Sequence, residues 1–136
     1  MEEYLKYIIV SIVILVLDFA WIVLNMKMYS QSVSVIQKSS LDVNYYAAFF
    51  AYVVVIFASL YIAIPFTKQH IKQNDGNSQK LLKSFIYGGA VGFAIYAIYN
   101  FTSMAIYKNY EFKVALIDTV WGTLLNTIIV LLYLII

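Results

Sequence analysis

Four long apolar runs divide the chain, and the stretches between them are short and polar. The runs cover about Tyr7 to Leu24, Tyr45 to Phe66, Phe85 to Tyr107 and Val114 to Ile136. A bilayer has about 30 Å of hydrocarbon and takes about 20 apolar residues to cross as a helix. Each run is of that order. Helices are required because backbone polar groups in lipid must be satisfied within the segment. The pattern predicts an all-α membrane fold, an antiparallel four-helix transmembrane bundle forming a single domain over residues 1–136. Pro65 is expected to stop the second span, and Asp42 to cap its start.

The connections refine this picture. In Lys27 to Asn44, Tyr29, Val33 and Ile36 recur at helical spacing, which fits an extension of the first helix or a short interfacial helix. Thr67 to Ser84 carries Lys68, His70, Lys72, Lys80 and Lys83 around Asn74-Asp75-Gly76-Asn77, a turn signal. Lys108 to Lys113 reads as a tight hairpin. If the spans alternate, Lys6 joins four lysines of the second connection on one side, and Lys27, Lys38, Lys108 and Lys113 lie on the other. The positive-inside rule then puts both termini in the cytosol by a margin of one lysine. The first run follows an acidic start, has no small-residue cleavage site after it and contains Asp18. It reads as a retained transmembrane helix, not a removed signal peptide.

Two acids break the apolar pattern. Asp18 lies in Leu17-Asp18-Phe19-Ala20-Trp21 and Asp118 in Ile117-Asp118-Thr119-Val120-Trp121, each with a tryptophan three residues on. An intramembrane carboxylate costs several kcal/mol unless protonated, paired or wetted, so it marks a candidate functional site. At a rise of about 1.5 Å per residue, Asp18, Asn100 and Asp118 fall roughly 17, 22 and 24 Å above the inner boundary, with Tyr52 near the same level. Polar groups of all four spans are therefore expected in one layer in the outer half of the membrane. Asp18, Trp21 and Asn25 form one helical stripe, and Asp118, Trp121 and Gly122 another. In the third span Gly88, Gly92, Tyr96, Asn100, Ser103 and Tyr107 form a glycine entry followed by a polar ridge. Gly88, Gly92 and Gly122 are read as helix-packing positions, where a small residue lets a neighbour approach.

Composition agrees with lipid as the solvent. Of the residues, 63% are hydrophobic and 12% charged, against about 25% charged in a soluble domain. A net charge of +2 gives no footing for nucleic acid. With no cysteine there is no disulfide, thiol nucleophile or thiolate metal site. The single histidine, His70, has no partner ligands near it and reads as solvated. No metal and no cofactor are expected. Ser103 has no histidine beside it in the membrane, and no phosphate loop, zinc signature or catalytic triad occurs, so an enzyme is not expected. All nine basic residues are lysine, and Ile, Tyr and Asn are abundant, a pattern of AT-rich genomes, bacterial or viral.

The stretches Leu17-Asp18-Phe19-Ala20-Trp21, Tyr29, Tyr96-Ala97-Ile98-Tyr99-Asn100-Phe101-Thr102-Ser103 and Asp118-Thr119-Val120-Trp121-Gly122 occur in this order. In this the chain resembles a family of small predicted four-helix membrane proteins, domain of unknown function 2177, seen in bacteria and some large DNA viruses. The resemblance covers nearly the whole chain and implies the four-helix membrane fold, with no assigned activity. Relatives read Tyr-Asp-x-Thr-Asn in the third span. Here Asn100 stands for the carboxylate and Ser103 for the amide, so any ion handling by that carboxylate is expected to be weaker in this chain.

Two functional expectations follow. The first is a small transporter or ion/proton-translocating protein. Asp18 and Asp118 titrate or ligate as a unit, Asn100, Ser103 and Tyr99 complete the site, and Trp21 and Trp121 wall it. Carboxylate and amide oxygens suit a proton or a small hard cation. A single four-helix unit has little room for a path, so a homo-oligomer in the lipid bilayer is expected, in the cell membrane or a viral or internal one. The second is a structural or interaction membrane protein whose aspartates only lock helices, through bonds of about 0.6–2 kcal/mol each. Trp21 on this reading belongs to an aromatic belt.

Overall fold

The computed structural model describes residues 1–136. It is all-helical, and four of its helices are long and apolar enough to cross a membrane: α1 (Glu3–Leu24), α3 (Tyr45–Lys68), α4 (Asn77–Ile106) and α5 (Phe112–Ile135). A fifth helix, α2 (Met26–Gln37), follows α1 after a break at Asn25. The Asn25 side chain donates to the Trp21 carbonyl at 2.9 Å, a local bond that competes with regular helix. Lys38 ends α2 in the left-handed conformation, φ 61°.

Only 25 of 136 residues are buried, too few for a chain that keeps its apolar side chains from water by packing alone. The outward faces instead carry residues such as Phe19, Leu24, Phe50 and Ile98, as a lipid solvent allows. Half of α5's most apolar window is buried, against 17% of that of α1, so α5 is the hub. The core of Val10, Ile14, Ile64, Leu125, Ile129 and Val130 surrounds it at one end. Glu3 at the start of α1 accepts from Lys68 at the end of α3 (3.1 Å) and from Tyr133 at the end of α5 (2.6 Å). Lys80 at the start of α4 donates to the Leu134 carbonyl of α5. The starts of α1 and α4 thus meet the ends of α3 and α5, and both chain termini lie at this end.

Small residues set the α4–α5 approach. A Cβ on Gly92 would collide with the Gly122 carbonyl and come within 2.9 Å of Asn126, one on Gly122 would enter the Tyr96 ring, and one on Gly88 would meet Val130 at 2.7 Å. Gly89, beside them, faces Thr127 in the same way.

Several boundaries differ from the hydropathy pattern. The third span begins at Asn77, not Phe85. Lys80 and Lys83 end the apolar run but not the helix, because lysine is a good helix former and its stem can run along the apolar surface. Pro65 does not stop the second span, which runs on to Lys68. A π-helical turn over Ser59–Ala63 precedes the proline, and its wider register accommodates a residue that donates no backbone bond. A matching π turn lies at Ser84–Gly88 in α4. The N-cap of α3 is Asn44, not Asp42, and its side chain accepts from the Ala47 amide at 3.0 Å. His70 is not freely solvated. Its ring stacks on Tyr87 at 3.7 Å and meets Phe66 edge-on.

Candidate functional site

The two Asp-x-x-Trp stretches face one another on α1 and α5. The Trp21 and Trp121 rings stack at 4.5 Å with 2° between their planes. Trp21 is therefore half-buried against a partner ring of α5. Each indole then reaches across toward the other helix's acid. Trp121 Nε1 donates to Asp18 Oδ1 at 2.8 Å. Trp21 Nε1 donates to the Tyr29 hydroxyl at 2.9 Å, and that hydroxyl donates to Asp118 Oδ1 at 2.7 Å. The crossing is direct one way and relayed by α2 the other.

Asp118 also accepts from Asn100 Nδ2 at 2.7 Å through Oδ2. Asn100, fully buried, accepts in turn from the Tyr110 hydroxyl at 2.7 Å. Asp18 is 9% exposed. Trp121 supplies its one hydrogen bond of ordinary geometry, with Tyr52 of α3 and Tyr96 of α4 beside the carboxyl. All four spans and α2 thus contribute to one polar layer near the end of the bundle away from the termini. Every donor to the two acids is neutral.

The layer opens into a cavity of about 640 Å³ between α1, α2, α4 and the start of α5. Asp18 and Asp118 both line it, and no lysine does. Trp21, Tyr29, Tyr96, Tyr99, Tyr107 and Tyr110 form its aromatic wall. The amphipathic pattern of α2 explains its place: Tyr29, Val33 and Ile36 share a face, and that face closes one side of the cavity.

Tyr29 and Tyr110 lie outside the spans. Burial, and then the bond to Asp118, push the Tyr29 phenol above its ordinary range. Burial, with Tyr99 and Asp118 nearby, pushes Tyr110 up to about 12. Both stay protonated, and so stay donors, throughout the neutral range.

Of the residues singled out from sequence, Asp18, Asp118, Asn100, Trp21 and Trp121 come together here. Tyr99 lies on the cavity wall but is 65% exposed. Ser103 is buried, off the wall, and makes no hydrogen bond to either acid. Tyr110 lies outside the residues that the sequence singles out for the site, and Tyr29 stands out there by helical spacing and by its place among the family stretches, not as a partner of Asp118. No cluster of three or more metal-ligating side chains is formed.

A family model described as "Predicted membrane protein (DUF2177)" matches residues 4–134. No curated protein and no solved structure matches the chain.

Proposed function

We propose, for a chain that belongs to this family of predicted membrane proteins, that the Asp18–Asp118 layer takes up a proton or small cation which the protein carries across the bilayer as a small transporter. The observation that supports this reading is a single open cavity touching both acids with no basic residue on its wall. Two carboxyl groups in a low-dielectric layer with only neutral donors have no internal counter-charge. A proton or a cation supplies it.

A structural lock alone would favour a dry, filled layer. Here about 640 Å³ stands open beside it. The far half of the bundle is closed by Ile14, Ile64, Leu125 and Ile129. Passage therefore requires α1 or α3 to shift against α5, or a second copy of the chain to complete the path. The antiparallel arrangement and the homo-oligomer belong to this proposal.

The test is flux in liposomes carrying a trapped pH-sensitive dye. The wild-type chain is expected to relax an imposed proton or alkali-cation gradient. Asp18→Asn and Asp118→Asn are expected to slow that at least about tenfold while still melting cooperatively. No flux from any version, with both variants melting early, would leave the acids as helix locks and overturn the proposal.

A further inference from the structure

We propose that the cavity beside Asp18 and Asp118 is a binding site for an organic ammonium group, free or on a lipid headgroup. This rests on the cation-handling reading above and names its ligand class. Three features carry it.

The first is the lining. Of 17 lining residues, 13 are hydrophobic. A bare Mg²⁺ or Ca²⁺ needs about six or more oxygen ligands, and this wall does not offer them in one place. An alkylammonium needs the opposite: apolar surface for its carbon and one or two acids for its charge.

The second is the aromatic wall. Trp21, Tyr29, Tyr96, Tyr99, Tyr107 and Tyr110 surround the same space. Aromatic faces attract ammonium groups through the ring quadrupole, and such cages are the recurring solution for quaternary amines.

The third is the state of Asp18. It is nine-tenths buried and lines the cavity, yet only Oδ1 is engaged at ordinary geometry, by Trp121. Asp118, by contrast, has both oxygens occupied, by Tyr29 and Asn100. Asp18 is therefore the acid that faces the ligand directly, and Asp118 is the acid that holds the wall. The size fits as well, since sites for small organic ligands run from about 300 to 1,000 Å³ and are mostly apolar with a few placed polar groups.

The experiment uses the chain's own fluorescence. Its only two tryptophans are Trp21 and Trp121, stacked at this site, so indole emission reports on nothing else. The full chain in nanodiscs of an uncharged galactolipid, which has no amine, is titrated with hexyltrimethylammonium and with its carbon isostere 2,2-dimethyloctane. The expected result is a saturable change with the cation, at least about tenfold tighter than any change with the isostere. Asp18→Asn is expected to weaken it tenfold or more. Tyr99→Leu, at an exposed wall position away from the core, is expected to weaken it roughly two- to fivefold. Repeating the titration in phosphatidylcholine discs distinguishes the sources. A weakened apparent affinity there means a headgroup competes for the site, and an unchanged one means a free amine is the ligand. Both support the proposal.

Equal response to cation and isostere would overturn it, since the cavity would then be reading apolar bulk alone. Absence of binding in a preparation that still carries Asp18-dependent proton flux would overturn this inference and leave the proposed function standing. Absence of both would overturn both.

Discussion

Asp118 has both of its carboxylate oxygens bonded, and its partners define what its loss does. Tyr29 and Asn100 both donate to it, and both would be left facing apolar surroundings if it were removed. Asp118→Ala is expected to cost about 2–4 kcal/mol, from two donors stranded in a medium that cannot solvate them. Thermal melting in mild detergent measures this. Trp21→Phe keeps the stack on Trp121 and removes only the bond to Tyr29, so it is expected to cost about 0.5–1.5 kcal/mol. A Trp21→Phe melt as early as that of Asp118→Ala would mean that the indole N–H, and not the ring, holds α2 in place. At this scale the two acids and their tryptophans were legible in the sequence, because a charge inside an apolar run is rare enough to stand out. The bonds that tie Tyr29 and Tyr110 to this layer were not. The chain has 13 tyrosines, and hydropathy carries no sign of which ones a fold-back brings to a buried acid.

The helices show which part of the pattern sequence encodes well. The four spans were visible because lipid solvation imposes a long apolar run. Their ends were less so, because hydropathy and helical hydrogen bonding stop at different residues. Lys80 and Lys83 end the one and not the other, and Pro65 is tolerated behind a π turn. The glycine positions Gly88, Gly92 and Gly122 could be picked out by their spacing, but what each one faces comes from the packing of α4 on α5. Gly122→Ala would drive a methyl into the Tyr96 ring, and Gly92→Ala into the Gly122 carbonyl. Each is expected to destabilise the bundle by about 1–3 kcal/mol. Gly76→Ala, with nothing within 4 Å of the added carbon, is expected to stay within about 0.5 kcal/mol of wild type. A melting series on the three variants decides whether the α4–α5 approach is as close as described.

The whole molecule has two unlike ends. One carries both termini, the Glu3–Lys68–Tyr133 cluster and the loop between α3 and α4. Five of the nine lysines belong to it. The loop is fastened there by Asp75, which accepts from the Lys72 amide at 2.7 Å and pairs with Lys83. The Lys72 amide first, and the Lys83 ammonium next, hold the Asp75 carboxyl below its ordinary range. A carboxyl that releases its proton more readily when folded stabilises the folded loop above the ordinary value of about 3.9. That contribution is lost as pH falls through the lowered one. Amide exchange at Lys72 is therefore expected to hold steady from neutral pH to about 4, apart from the intrinsic pH dependence of exchange, and to lose its protection below that. In Asp75→Asn the extra protection should already be missing at neutral pH.

The other end holds α2, the stacked tryptophans and the open cavity, and the central claim is that both acids face that cavity from within the membrane. The chain has no cysteine, so single cysteines at Asp18, Asp118 and the lipid-facing Phe19 test it directly with a charged, membrane-impermeant methanethiosulfonate reagent applied to either side of sealed vesicles. The structure predicts labelling of the cysteines at 18 and 118 from the side opposite the termini, and none at 19. Labelling of 18 and 118 from opposite sides, or of neither while 19 reacts, would contradict it.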